Sequence, residues 1–571
     1  MAGRPMSGAA QHPTIALVNP SVGYSDRRKS KPIGLAYIGA YLAHHGFPAA
    51  GFDFGDSPQS PAALSGEHGL DRFETVGFSV YNESLDATLE HAAWVKRRNP
   101  EALVVLGGPH ATAVHTDIMR DCPDIDAVVR REGEKPMLDL VRHRHEGRLD
   151  IPGTTVRTPS GEIRVNIDSP FLDDLDSLPF PDFHFVSDSG YPPLTYFDSN
   201  RGMVIPALAV NSSRSCPYNC SFCGVLTIGR KYRMRSGESV VAELDHFRTS
   251  DGLDYRHVYF SDANFYVYPK RALGIVQALH AYDPRITFSF GTRVNQLIKH
   301  QDFIPDLKEC GLRFVELGIE SASPDVLKRL AKGVDPSDNL AAVKLLERHG
   351  LGVSLDFIMI DPETTLADLR ANQKFLKAGG FYDYVPHEHL YTHLALYAGT
   401  PIRDYYQERR GTTFGMSELP PIETLIEDPA TARVRAALVW FRDAYQPAVD
   451  QVLAEAEALL QARAKHRAEQ PVSRVELDLQ LDVVAVRHAP NLYFDRLLDD
   501  CERHRGDGAA DFAALLPRPG TGAPTLDALL LRAAQHIEAL APDNPGAVDR
   551  AAALLPAASL TTPNTAERSG P

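Results

Sequence analysis

Between residues 14 and 145, short apolar runs alternate with segments whose apolar positions recur at helical spacing. The strand candidates are residues 14–19 (TIALVN), 49–53, 75–81 (TVGFSVY), 102–106 (ALVVL) and 127–129. Residues 33–45, 85–98 and 135–143 carry the helical period, and Gly46 offers a stop for the first of them. Wholly apolar strands separated by helices predict a parallel, doubly wound α/β sheet covered on both faces.

The pattern lapses over residues 149–206, where FLDDLDSLPFPDF (171–183) mixes Asp, Ser and Pro among its apolar residues. A second alternation starts at residue 207. Its strand candidates are residues 207–213, 257–262, 287–293, 313–320, 353–360 and 389–396, with helical patterns at 240–248, 272–281, 324–331 and 340–349. Six βα units in series predict a partial (β/α)6 barrel, with polar residues at the strand C-terminal ends where such barrels do their chemistry. From residue 405 the pattern is helical without strands, as in residues 432–463. The expected division is therefore a Rossmann-like domain (14–148), a connector (149–206), a barrel (207–404), a helical region (405–541) and a disordered Ala-, Pro-, Ser- and Thr-rich tail (542–571).

Composition narrows the function. Acidic residues outnumber basic ones 74 to 59, a formal net charge of −15, which disfavours a phosphate-neutralising surface and hence nucleic acid. No run of about 18 or more apolar residues suggests a membrane span. Residues 1–12 lack the apolar region of a secretory signal, so a cytoplasmic protein is expected. Three of the six cysteines, Cys122, Cys310 and Cys501, stand alone and read as buried fillers.

The other three form Cys216-Pro-Tyr-Asn-Cys220-Ser-Phe-Cys223, a C-x3-C-x2-C spacing directly after the first barrel strand. Three soft thiolates in one loop suit three corners of a cubane cluster and leave the fourth iron open. A closed zinc site would want a fourth ligand, usually from a second CxxC-like pair. This loop resembles that of the radical S-adenosylmethionine (SAM) superfamily. The resemblance makes Cys216, Cys220 and Cys223 the catalytic cluster ligands and implies a 4Fe–4S cluster that cleaves SAM. It also implies an external electron donor such as flavodoxin or ferredoxin. Phe222 matches the superfamily's aromatic near the adenine, and Tyr232–Ser236 its short basic stretch. Asp262 matches the polar end of the second strand, near the methionine amino group. Arg293 with Asn295 (GTRVN) and Glu320 within ELGIES end the third and fourth strands, as candidates for the ribose and carboxylate. The superfamily's G-x-P-G-E-T is replaced here by Asp361-Pro-Glu-Thr-Thr365, a form similar to the cobalamin-binding branch.

The N-terminal region resembles the cobalamin-binding domains that precede many radical cores. The matching pieces are KPIGLAY (31–37), GFSVY (77–81), LGGPHAT (106–112), Glu132-Gly133-Glu134 and LPFPD (178–182). Ligands of doubly wound sheets sit beyond the strand C-termini, so Ser79, Tyr81, Gly107, Gly108, Glu132 and Gly133 become cofactor-binding candidates. His110 is included as a hydrogen-bonding loop residue. No D-x-H-x-x-G motif occurs, and the nearest string, Glu347-Arg-His349-Gly-Leu-Gly352, reads as a helix end. The resemblance thus implies a cobalamin whose lower face has no histidine ligand, with the 81–84 loop over that face. His387, His389 and His393 (PHEHLYTH) would share one side of a strand and read as a substrate-facing or buried row rather than a metal set.

The combination implies a class B radical SAM methyltransferase-like enzyme. One SAM would methylate reduced cobalamin and a second would yield a 5′-deoxyadenosyl radical that activates a carbon of a small-molecule or natural-product intermediate, as in antibiotic biosynthesis. The alternatives are a rearrangement or cyclisation without methyl transfer, methylation of an already nucleophilic carbon, and a noncatalytic cobalamin-binding protein. A tRNA-modifying enzyme is disfavoured by the acidic charge. Oligomeric state is not readable from the pattern.

Overall fold

The computed structural model describes residues 13–20, 32–55, 57, 59–183, 194–198, 203–384, 387–465, 472–504, 512–516, 525–542 and 545–556. Residues 1–12, Lys31, residues 184–193 and residues 557–571, each given a reading above, lie outside them.

Strands β1 (Ile15–Asn19), β2 (Ala49–Asp53), β3 (Thr75–Ser79), β4 (Leu103–Gly107) and β5 (Ala127–Val129) form a parallel sheet in the order β2-β1-β3-β4-β5. Alternate residues face opposite sides, as strand geometry requires. Ile15 and Leu17 pack under the helices Ile33–His44 and Glu134–Arg142, whereas Ala16 and Val18 join Trp94 and Val95 of the helix Leu85–Arg98. The order reverses between β1 and β3, which opens a crevice at their C-terminal ends. The sheet extends further than its apolar pattern suggested. β6 (Thr154–Arg157) and β7 (Ile163–Val165) add an antiparallel hairpin inside the expected connector. Both are short, and neither writes an unbroken apolar run: β6 buries two threonines beside Val156, and β7 is an edge whose side chains are mostly in solvent.

A second sheet, in the order β15-β14-β13-β12-β9-β8, forms the open barrel. Its strands are β8 (Thr195–Asp198), β9 (Met203–Val210), β12 (His257–Phe260), β13 (Thr287–Arg293), β14 (Leu312–Glu320) and β15 (Gly352–Phe357). All adjacent pairs are parallel except β8 with β9, an antiparallel pair in which β9 overlaps the first expected strand and β8 precedes it. A ribbon of β10 (Ser213–Arg214) and β11 (Arg233–Met234) closes the cysteine loop.

The expected sixth strand at 389–396 is not formed. Residues His387–Leu390 are a 3-10 turn, and only His393 bridges to Ile360 in parallel fashion. The carbonyl of Tyr391 is taken by the Arg435 guanidinium (2.8 Å) from the helix Pro429–Lys465, so it does not pair in a ladder. That helix and Arg474–Arg503 share one continuous core with the barrel, Phe441, Tyr493 and Phe494 joining Phe357 and Phe375. The tail expectation also needs correction at Ala547–Leu554, which is helical. Ala547 and Ala551 bury one face there, and Glu538 accepts from the backbone N–H groups of Gly546 (2.9 Å) and Val548 (3.0 Å). Among the described residues no helix is long and apolar enough to cross a membrane.

Candidate functional site

The cysteine loop is held from several sides. Ser221 donates its backbone N–H to Leu330 O (2.9 Å) and its hydroxyl to Arg329 O (2.8 Å), and its own carbonyl accepts from Ile402 N (3.0 Å). Cys220 is buried and Cys216 and Cys223 are partly exposed, all as free thiols. Burial pushes the Cys216 thiol up and the Cys223 thiol up to about 11. Ser215, just before the first cysteine, has φ +69°, strained for a residue with a Cβ. Among the described residues no three His, Cys, Asp or Glu side chains are gathered tightly enough for one metal ion. The donor set is therefore three thiols in one loop without a fourth protein ligand. That fits a cluster whose own corners separate the thiolates and does not fit a closed zinc site.

The barrel-rim candidates fall into distinct roles. Both oxygens of Asp262 are occupied: Oδ2 accepts from Ser212 N (3.1 Å), and Oδ1 accepts from the hydroxyls of Ser212 (3.0 Å) and Ser213. It anchors the entry to the cysteine loop, whatever else it contacts. Glu320 sits at φ +61° and is ion-paired with Lys332 (2.6 Å), both nearly fully buried. Arg293 donates from Nη1 to Cys220 Sγ (2.6 Å), and its guanidinium lies over the Tyr218 ring, 4.2 Å from the centroid. Asn295 accepts from Arg293 Nε at 3.4 Å. Phe222 packs against the barrel core and is partly exposed. Asp361 forms a bidentate pair with Arg329 (2.9 and 3.0 Å) and accepts from Glu363 N (3.0 Å), so the Asp-Pro departure builds a turn.

Opposite the rim lies a cavity of about 520 Å³ between the two sheets. Ser79, Tyr81, Gly107, Gly108, Glu132 and Gly133 line it, which brings together six of the seven N-terminal candidates. Across from them are Asn211, Ser213, Arg214, Ser215 and Ser261 of the barrel. Its deep end is apolar, with Leu17, Val105 and Met137. The seventh candidate, His110, faces away. It is buried with a backbone group of Met416 as partner, and burial pushes its pKa down to about 4, so it is a neutral imidazole.

Two glycines at this cavity differ in kind. Gly108 has φ +99°, and a Cβ there would lie 2.8 Å from Val80 O, so the backbone itself demands glycine. Gly107 has no such demand: its nearest neighbour would be Val129 O at 3.7 Å. Gly34, in the helix Ile33–His44, would meet nothing within 4 Å and also lines the cavity. Two side chains are thus missing where the protein has room for them, which fits a bulky planar occupant such as a corrin.

Sequence reading missed the ion pairs that join the two halves. Glu132 takes a bidentate contact from Arg233 (2.8 and 2.5 Å), and Glu134 takes Arg214 (2.6 Å). Burial pushes Glu134 up, but Arg214, its own backbone amide and Arg233 together pull it below the usual carboxylate range. Arg214 also lies over the Tyr37 ring at 5.3 Å, and Tyr37 accepts from Arg235 (3.3 Å). Lys332 was missed as well. Glu132-Gly133-Glu134 and the basic stretch Tyr232–Ser236 were both visible as separate pieces, but nothing in their spacing says that they meet, about 100 residues apart. His389 is packed edge-on against Phe357 (6.0 Å), His393 turns its Nδ1 to the Tyr391 carbonyl (3.4 Å), and the His387 side chain lies outside the described residues.

A parallel crevice domain thus faces an open barrel with a three-cysteine loop. Residues 26–141 match the B12 binding domain family and residues 210–376 the radical SAM superfamily, so the chain carries a B12 binding domain followed by a radical SAM domain. It is 31% identical over 307 residues to an uncharacterized methyltransferase of Pyrococcus horikoshii, covering 53% of this chain and 64% of that protein. It is 28% identical over 318 residues to the anaerobic magnesium-protoporphyrin IX monomethyl ester cyclase of Rubrivivax gelatinosus, covering 55% and 54%. The matched stretches thus span between about half and two thirds of those relatives. The solved structure of the cobalamin-dependent radical enzyme OxsB, with aqua-cobalamin and S-adenosylmethionine bound, aligns over 93% of this chain and 80% of its own. Its TM-score is 0.65 at 17% identity, a likeness of fold.

Proposed function

We propose that this protein is a cobalamin-dependent radical SAM enzyme that transfers a methyl group to carbon in a small-molecule substrate. The observation that carries the reading is the single cavity, which joins the strand ends of the B12 binding domain to the entry of the cysteine loop. When bound, the cluster with SAM supplies a 5′-deoxyadenosyl radical, and cobalamin supplies a methyl carrier.

The chain's residues do the placing. Cys216, Cys220 and Cys223 would hold the cluster, with SAM at the iron they leave open. Glu320, which ends β14, and its partner Lys332 would offer one anion and one ammonium to SAM. Ser79, Tyr81, Gly107, Gly108 and the Glu132-Gly133 turn, with the apolar Leu17, Val105 and Met137, would bind the cobalamin. Substrate enters between the N-terminal domain and the barrel top. An external one-electron donor of the flavodoxin or ferredoxin kind is required.

Anaerobic reconstitution with iron, sulfide and hydroxocobalamin tests both halves. Four irons and one retained cobalt per chain are expected, with SAM turned over to both 5′-deoxyadenosine and S-adenosylhomocysteine. Iron without cobalt would remove the methyl-transfer half, and neither metal would remove the proposal. The likeness to an enzyme named as a cyclase favours one second reading, an oxidative ring closure on the same cofactors. That reading yields 5′-deoxyadenosine without S-adenosylhomocysteine.

A further inference from the structure

Arg293 ends β13 and, on sequence grounds, was a candidate for SAM. Its observed partners lie elsewhere. Nη1 donates to Cys220 Sγ at 2.6 Å and Nη2 donates to the Lys332 carbonyl. The guanidinium plane lies 4.2 Å from the centroid of Tyr218, two residues after Cys216, and Tyr218 is itself fixed by Gln296 Nε2. Arg293 and Cys220 are each more than nine-tenths buried, at 7% and 8% exposure. The cation is therefore committed to the cluster loop at two points, a sulfur and a ring.

A second group points the same way. Asn264 is fully buried, and its Oδ1 accepts from the Thr292 hydroxyl at 3.0 Å, which fixes the orientation of the amide. Its Nδ2 is left without a partner and belongs to the surroundings of the Cys216 sulfur. A buried amide donor with nothing to donate to is costly unless something arrives to accept it. Cys220 thus faces a buried cationic donor from the barrel wall, and Asn264 holds a second, unspent N–H donor in the neighbourhood of Cys216.

We propose that Arg293, with Asn264, positions the cluster thiolates and sets the cluster's reduction potential, rather than binding SAM. The inference rests on the cluster reading given above. Reduction adds one electron, supplied by an external one-electron reductant, and no bond in the protein is made or broken. The added negative charge is favoured by a guanidinium at hydrogen-bonding distance and by N–H donors to sulfur. Arg293 is a positioning residue in this scheme, because it acts through Cys220.

The test uses the full chain reconstituted with iron and sulfide, titrated with a low-potential reductant and followed by the EPR signal of the reduced cluster. At the potential where half the wild-type cluster is reduced, Arg293→Gln should show a reduced-to-oxidised ratio about tenfold lower, the loss of one charge-assisted hydrogen bond. SAM affinity, from its perturbation of the same signal, should change by less than about threefold, well under the tenfold that losing an ionic contact would bring. Arg293→Lys keeps the charge but loses the second donor, so its ratio should lie between the two. Should Arg293→Gln fail to fold or to retain iron, Arg293→Lys decides alone. A wild-type potential in either iron-loaded variant overturns the proposal, as does a tenfold loss of SAM binding at unchanged potential. If the wild-type chain itself takes up no cluster, the failure belongs to the radical SAM reading.

Discussion

A methyl group added at Gly107 crowds nothing in the protein, and so reports on whatever occupies the cavity. Its Cβ would make an ordinary 3.7 Å contact with Val129 O, and its φ lies in the normal region. Glycine at a strand end costs about 0.5–1 kcal/mol relative to alanine through chain entropy. Gly107→Ala should therefore leave the cofactor-free protein as stable as wild type or raise its melting temperature by a few degrees. Its neighbour supplies the contrast. Gly108→Ala forces a Cβ to 2.8 Å from Val80 O at φ +99°, and should cost about 1–3 kcal/mol. For a unit of this size that lowers the melting temperature by about 2–4 °C per kcal/mol. With cobalamin the ranking inverts at Gly107. Overpacking a filled site costs about 1–3 kcal/mol, which weakens hydroxocobalamin binding about 5- to 150-fold. The assays are a circular-dichroism melt without cofactor and a visible-absorbance titration of hydroxocobalamin. Wild-type cobalamin affinity in a stably folded Gly107→Ala protein would refute the placement of the corrin against this strand end.

Three further outcomes are expected. Replacing Cys216, Cys220 and Cys223 together by Ala should abolish iron uptake on reconstitution while cobalamin binding persists, read by metal analysis. Arg214→Ala leaves the buried Glu134 carboxylate without its 2.6 Å partner and should cost about 3–5 kcal/mol, seen as a lowered denaturant midpoint. Asp356 keeps exposed surface on β15, and partial desolvation together with the nearby Glu316 and Glu320 carboxylates pushes its pKa up to about 8. A raised acid binds protons better when folded, so stability falls as pH rises from about 4 to 8. Asp356→Asn should therefore stabilise at pH 9 and change little at pH 4, and equal gains at both values would contradict this.

The parallel core was legible because buried strands write themselves as unbroken apolar runs: β1, β3 and β4 follow their predicted spans within a residue or two. The cysteine loop was legible because its chemistry is fixed by spacing. What escaped notice was set by partners distant in sequence. β7 and β8 lie at sheet edges, where one ladder neighbour supplies the pairing. PHEHLYTH alternates like a strand, yet Arg435 claims one of its carbonyls, and the chain turns. Lys332 and Arg214 meet their acids through tertiary packing, 12 and 80 residues away. Arg293 was visible as a residue but its contact with Cys220 was not, since a strand-end arginine serves a ligand or a thiol equally well in sequence.

The pairing of Glu132 and Glu134 with arginines on both arms of the β10–β11 ribbon has a consequence for biogenesis. The first domain leaves the ribosome before the cysteines do, and it carries the acidic half of the clasp. The ribbon's two arginines therefore meet carboxylates that are already synthesised. A barrel expressed without residues 1–165 would lose both acids, leaving Arg214 and Arg233, the latter 5% exposed in the intact chain, without the partners that tie down the two arms. The amino-terminal domain thus braces the entry and exit of the cysteine loop from outside the barrel.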